Sequence, residues 1–153
     1  MFGVPVRGHA AEPGLILREE FTMLLAKTQC VGLPRSTSAV REGLMDLKLK
    51  PFSDLPIDDD GKTLRTYGLV LAGIPTGASR SLFDAKGFVT RAEATKAIAT
   101  AMAPLEWRKT HAKEIADTVV PADVKDPILK NALQTLLALD VLPDHMRLSL
   151  IHI

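Results

Sequence analysis

Two phrases recur along this chain in fixed order, and together they dictate its plan. One is a helix-opening box: "TRAEATKAIATAMA" starts it at Thr90-Arg91-Ala92-Glu93, and "LILREEFTMLLAK" carries a related box near the N-terminus. Arg18 matches Arg91 and Glu20 matches Glu93. The other phrase is an apolar residue, a small residue and Asp, followed by an irregular acidic linker and an apolar helix. "PFSDLPIDDDGKTLRTYGLVLAGIP" writes it from Phe52 and Asp54 to Pro75; "EIADTVVPADVKDPILKNALQTLLALDVLP" writes it from Ile115 and Asp117 to Pro143. Self-similarity on this scale signals one supersecondary unit stacked on copies of itself, because a single copy cannot bury its apolar face alone.

Each phrase has a local physical reading. Pro13 and Gly14 turn the chain into a first helix with an apolar stripe at Phe21, Leu24 and Leu25 and Thr28 behind it. Glu19 and Glu20 fall in its first turn and Lys27 near its end, as the helix dipole favours, and Gly32 and Pro34 stop it. Thr37 or Ser38 caps a second helix whose Val40, Leu44 and Leu47 share a face, although Gly43 costs it about 1 kcal/mol relative to Ala. A third helix carries Leu64, Tyr67 and Leu71 and ends at Ala72–Gly73, with glycine where a left-handed cap is needed.

The box helix runs from Thr90 to about Ala103. Thr90 and Glu93 have the spacing of a capping box, in which hydroxyl and carboxylate each take the other residue's backbone N–H. The polar stretch around Trp107 reads as a linker. Asp126 then caps a helix with Pro127 at its first position, and Ile128, Ala132, Leu136 and Leu139 line its face, widened by Leu133 and Leu137. At the two ends, alternating Phe2, Val4 and Val6, and Leu148 and Leu150 against Ile151 and Ile153, predict short strands with free edges.

Composition excludes several classes. The hydrophobic fraction of 46% supports a core, and with aromatics at 5% that core rests on aliphatic side chains, which suits helices. A net charge of +1 with interleaved signs gives no basic patch for nucleic acid. No apolar run approaches the roughly 20 residues of a membrane-spanning helix. Cys30, the sole cysteine, permits no intrachain disulfide and reads as a buried thiol, with a reactive or intermolecular role as the alternative.

No cofactor, metal or catalytic site is expected. His9, His111, His145 and His152 never stand at metal-ligand spacing, and "PIDDDGK" fails the calcium-loop pattern because Pro56 holds the first position and Tyr67 the last. No nucleophile elbow, phosphate loop or dinucleotide fingerprint occurs, and Ser79 and Ser81 beside Arg80 read as loop residues.

The order of phrases resembles the S-layer homology domain. There, an opening Phe-x-Asp-Val-Pro-like phrase leads to a helix ending in Gly-Ile, a loop bearing Phe, and a second helix begun by Thr-Arg-Ala-Glu. Here these stand as Phe52, Asp54, Pro56, Gly73, Ile74, Phe83 and Thr90 to Glu93. The resemblance implies an extracellular, non-catalytic module, usually present in threes as a pseudo-threefold spindle that holds a secondary cell-wall polysaccharide in grooves between units. Carried over, it assigns carbohydrate contacts to Arg18 and Arg91, with Glu20 and Glu93 orienting them. A purely structural role, a helix cap with a surface ion pair, is the alternative for Arg91 and Glu93.

The expected fold is therefore mainly α, with short terminal β-strands and one complete repeat flanked by two complementary half repeats. Residues 1–32 are the second half of a repeat, 33–50 a connecting helix and linker, 51–103 a complete repeat, 104–114 a linker, and 115–153 the first half of a third repeat with its strand. The halves either complement each other within one chain or dock on a neighbouring copy, and the terminal strands either pair in cis or add to a neighbour. The chain lacks the apolar segment of a secretory signal, so it is either cytoplasmic or begins after a signal was removed; the resemblance favours the second. The expectation is a non-enzymatic surface protein that assembles with copies of itself through Phe2, Val4, Val6, Leu148, Leu150, Ile151 and Ile153. The alternative is an anchor module for cell-wall polysaccharide.

Overall fold

A computed structural model describes residues 15–29 and 33–141. The segments expected to form terminal strands, with all seven residues expected to carry assembly, and Cys30 lie outside the described residues. Within them the chain is mainly helical, with α1 (Arg18–Thr28), α2 (Thr37–Asp46), α3 (Gly61–Leu71), α4 (Arg91–Met102), α5 (Leu105–Thr110), α6 (Ala112–Asp117) and α7 (Pro127–Ala138). Among the described residues there is no strand, only an isolated antiparallel bridge between Leu17 and Phe88.

These residues form two compact units. The first holds α1, α2 and α3 with the segment 76–90; the second holds α4 to α7 with 73–75. The division thus passes through the repeat read at 51–103. Each helix opened by the box packs on the helix that follows the next Asp-bearing phrase in the sequence, α1 on α3 in one unit and α4 on α7 in the other.

In the first unit, α1 and α2 both pack on α3. Val40, Leu44, Phe52, Tyr67 and Phe83 make the core, ringed by Leu55, Ile57, Leu64, Val70, Leu71 and Ala85. Ser36, rather than Thr37 or Ser38, caps α2, its Oγ accepting the Ala39 N–H at 3.2 Å. Leu47 falls on the cap residue just past the helix and is turned outward, so it does not join Val40 and Leu44. A Cβ on Gly43 would lie 2.8 Å from Leu71 Cδ2, so the glycine that weakens α2 also admits α3 to close range.

The buried face of α1 differs from the expected stripe. Arg18, Thr22 and Leu25 are buried, whereas Leu24 is 54% exposed. Two polar residues can line an interior face because each is satisfied: Thr22 Oγ1 donates to the Arg18 carbonyl at 2.7 Å, and Arg18 has partners described below.

In the second unit, α7 packs on α4 and α6. Ala99, Ala132 and Leu136 form an apolar cluster joined by Ile98. Asp126 caps α7 as expected, accepting the Ile128 N–H at 2.9 Å, and Pro127 is the first helical residue. Leu129 replaces Ile128 in the buried face: Leu129, Ala132, Leu133 and Leu136 follow the helical period, and Ile128 lies roughly a quarter turn off it. The linker read at 104–114 contains α5 and the first half of α6, and within it Glu106 and Lys109 pair at 3.0 Å and the Trp107 ring stacks on His111 with centroids 4.2 Å apart.

Both units repeat details that the residue types conceal. Thr95 Oγ1 donates to the Arg91 carbonyl at 2.7 Å, matching Thr22 and Arg18. The turn 52–55 closes by the Leu55 N–H on the Phe52 carbonyl at 3.4 Å, and 115–118 by the Thr118 N–H on the Ile115 carbonyl at 3.2 Å. Tyr67 donates its hydroxyl to the Leu55 carbonyl at 2.6 Å; Gln134 Nε2 donates to the Thr118 carbonyl at 3.0 Å and to that of Ala116 at 3.3 Å. Tyr67 and Gln134 stand at the same interval before the caps Ala72 and Leu139, and each cap is followed by a left-handed residue, Gly73 with φ 81° and Asp140 with φ 55°.

The Tyr67 hydroxyl also accepts the buried Phe52 N–H at 3.1 Å. Replacing Tyr67 with Phe strands both backbone groups and is expected to cost about 1–3 kcal/mol, read by urea unfolding followed by circular dichroism. An unchanged midpoint would contradict this role.

Candidate functional site

A polar knot forms in the first unit where the phrase 52–54, the loop 81–89 and the start of α1 meet. Its base is a backbone exchange: the Ser53 N–H donates to the Ser81 carbonyl at 2.8 Å, and Ser53 Oγ donates to the same carbonyl at 3.0 Å. Asp54 then binds the loop with both carboxylate oxygens. Oδ1 accepts the Phe83 N–H and Oδ2 the Asp84 N–H, each at 2.7 Å. Phe83 turns inward beneath them, its ring 5.7 Å from that of Phe52.

Asp84 has φ 57°, a left-handed backbone that non-glycine residues adopt at a cost. In that conformation its carbonyl and carboxylate both reach the Arg18 guanidinium. Nη1 of Arg18 donates to Asp84 O at 3.0 Å and Oδ2 at 3.3 Å, and Nη2 donates to the Phe88 carbonyl at 3.4 Å. Backbone bonds complete the seam: Arg18 N–H to Gly87 O at 2.8 Å, Glu19 N–H to Ala85 O at 3.1 Å, and Val89 N–H to Ile16 O at 3.0 Å. Lys86 closes the rim on Glu19. Gly87 is required by space, since a Cβ there would lie 2.0 Å from Asp84 Oδ2 and 2.8 Å from Arg18 Nη1.

Burial raises the affinity of the Asp54 carboxyl for its proton, yet the N–H groups of Phe83 and Asp84, its own N–H and the Arg18 charge outweigh that and hold it below the usual carboxylate range. In the second unit, the hydrogen bond from Lys96 Nζ, 2.6 Å away, and the Ile128 N–H lower Asp126 in the same direction.

The four residues proposed for carbohydrate fall in different surroundings. Arg18 is only 4% exposed and held within the knot. Glu20 is exposed on the first turn of α1, with its carboxylate 3.4 Å from the Leu17 N–H. Arg91 is exposed at the start of α4, one residue after Thr90, and Glu93 is half-buried in the same turn. The structure therefore gathers Arg18 with Asp84 and Asp54, a constellation not anticipated from sequence. Its signals were an Asp-x-x-Gly loop, "DAKG", and the Asp of the opening phrase.

The knot is a set of satisfied charges, suited to holding two segments together. Among the described residues no group of three or more His, Cys, Asp or Glu could hold a metal ion, and no helix is long and apolar enough to cross a membrane. No protein-family model, curated protein or solved structure matches the chain.

Two outcomes test the knot. Gly87→Ala drives a methyl into the Arg18–Asp84 contact and is expected to destabilise the protein by about 2 kcal/mol, read as a lower urea midpoint. The second follows from linkage. The folded Asp54 carboxyl titrates below its unfolded value of about 3.9, so its stabilisation is present above that pH and is lost as pH falls through the folded value. Acidification from neutral pH to the carboxylate range should therefore lower the midpoint more in the parent than in Asp54→Asn.

Proposed function

We propose that this chain is a non-enzymatic surface protein of S-layer homology type that assembles with copies of itself outside the cell by completing split repeats. The observation that carries this reading is the partnership of α1. It is the box helix of one repeat, yet it packs on α3, the phrase helix of the next, and its leading residues are seamed to the loop 85–89. Half repeats dock through side-chain packing and an Arg–Asp clasp, across the intervening residues 29–60. A box half brought by a second copy meets the same chemistry. Such a contact is heterologous, and it propagates as a ring or a filament according to whether its rotation closes.

Removal of Arg147–Ile153 is expected to leave helix content unchanged while abolishing large assemblies. Circular dichroism reads the first and negative-stain microscopy the second; assemblies of equal size after truncation would contradict the reading.

A second reading, a cell-wall-polysaccharide anchor, draws on the exposure of Arg91. It depends on Arg91 more than on Arg18, whose guanidinium is engaged in the knot. Arg91→Ala would then reduce retention on purified cell-wall polymer several-fold at unchanged melting temperature. Failure of the parent protein to be retained at all would dispose of it.

A further inference from the structure

Two segments of the first unit carry opposite charge beside apolar side chains. The first is the end of α2. The Lys48 N–H donates to the Met45 carbonyl at 3.0 Å and the Leu49 N–H to that of Leu44 at 2.8 Å, so the chain wraps back on the last helical turn. Lys48 takes the left-handed conformation that this wrap requires, φ 55°, where glycine is the usual residue. Leu44 is buried, but Met45, Leu47 and Leu49 are 74%, 51% and 43% exposed, and Lys48 and Lys50 alternate with the leucines. Every residue from 45 to 51 is exposed, so the segment stands out as an apolar, basic tip. Asp46 lies inside α2, which leaves residues 47–51 with two cations and no anion.

The second segment is the entry to α3. Leu55 and Ile57 are half-buried against the core, and Asp58, Asp59 and Asp60 follow them, all exposed. Asp58 Oδ1 accepts the Asp60 N–H at 3.0 Å, which fixes the turn. Among the described residues, the side chains of Lys48, Lys50, Asp59 and Asp60 make no hydrogen bond or ion pair, and no ion pair joins the two segments within the chain. Across two chains they match: leucines interleaved with lysines face apolar residues that lead into three aspartates. An exposed surface of apolar side chains and unpaired cations gains most from a partner that covers the first and neutralises the second. The chain itself carries that partner.

We infer that the tip 45–50 of one copy docks on the segment 55–60 of a second copy, with Lys48 and Lys50 set against Asp58, Asp59 and Asp60. The inference rests on the reading that copies of this chain associate, and it names a contact separate from the joining of split repeats. It gives a role to apolar side chains left in solvent and to a lysine kept where glycine would fit without strain.

Carbodiimide cross-linking of a mixture of isotopically light and heavy full chains tests it, because the reagent joins an amine only to a carboxylate already in contact. The parent should give mixed-isotope links from Lys48 or Lys50 to Asp58, Asp59 or Asp60, and their yield should fall several-fold as added salt screens the contact. Lys48→Glu with Lys50→Glu reverses one side, and Asp59→Lys with Asp60→Lys reverses the other. All four side chains are exposed, so each variant should keep the parent's circular dichroism. Light chains of the first variant mixed with heavy chains of the second should again link position 48 or 50 to position 59 or 60, with amine and carboxylate exchanged. Links confined to single-isotope pairs, no links at all, or an exchanged pair that fails to link would overturn the inference. A parent that assembles by light scattering without these links loses this contact and keeps assembly. A parent that stays monomeric overturns both.

Discussion

Residues 83 and 84 turn through a conformation that offers their N–H groups no helical or sheet partner, and the carboxylate of Asp54 supplies both acceptors. Much of the first unit depends on that arrangement. With the loop fixed, Phe83 is aimed into the core against Phe52, and Asp84 is presented to Arg18. Arg18 can then be buried at the head of α1, because its charge is met by a carboxylate and two carbonyls. The guanidinium in turn adds to the forces that keep Asp54 ionised. Hydrogen bonding, core packing and charge thus reinforce one another at a single junction, and α1 is joined to a loop far from it in sequence.

The same junction explains why the compact units are out of step with the sequence repeat. A box helix has two possible partners, the phrase helix of its own repeat and that of the next. The seam from Ile16 to Glu19 against 85–89 commits α1 to the second choice, and α4 follows with α7. Proteins built from such repeats gain stability chiefly at interfaces between neighbours, so each junction can be made within a chain or between chains without new chemistry. The proposed assembly through split repeats would draw on that property.

The longer helices and several of their ends were readable from residues because they depend on local rules, although the cap of α2 fell one residue before the expected Thr37. Asp126 with Pro127, Gly73 after α3, and the acidic first turn of α1 all stand where those rules put them. Faces were less legible. Leu24 outranks Thr22 on any apolar scale, yet Thr22 is buried, because its hydroxyl is satisfied by the Arg18 carbonyl of its own helix. Ile128 lost its place to Leu129 by about a quarter turn, a margin that an apolar run cannot resolve. The short helices α5 and α6 were hidden by polar composition, since they are too brief to show a period.

The knot itself was the least legible feature. Asp84 and Gly87 looked like ordinary loop residues, and only the close approach of Arg18 gives them their meaning. The equivalence of Tyr67 and Gln134 was invisible for a different reason: what repeats is a donor reaching a carbonyl, and phenol and amide serve alike. Cross-linking mass spectrometry on a mixture of isotopically light and heavy chains tests the assembly account most directly. The account predicts mixed-isotope links from Lys27 of one copy to Lys113, Lys125 or Lys130 of another. Links confined to single-isotope pairs, or mixed pairs that never join these two halves, would contradict it.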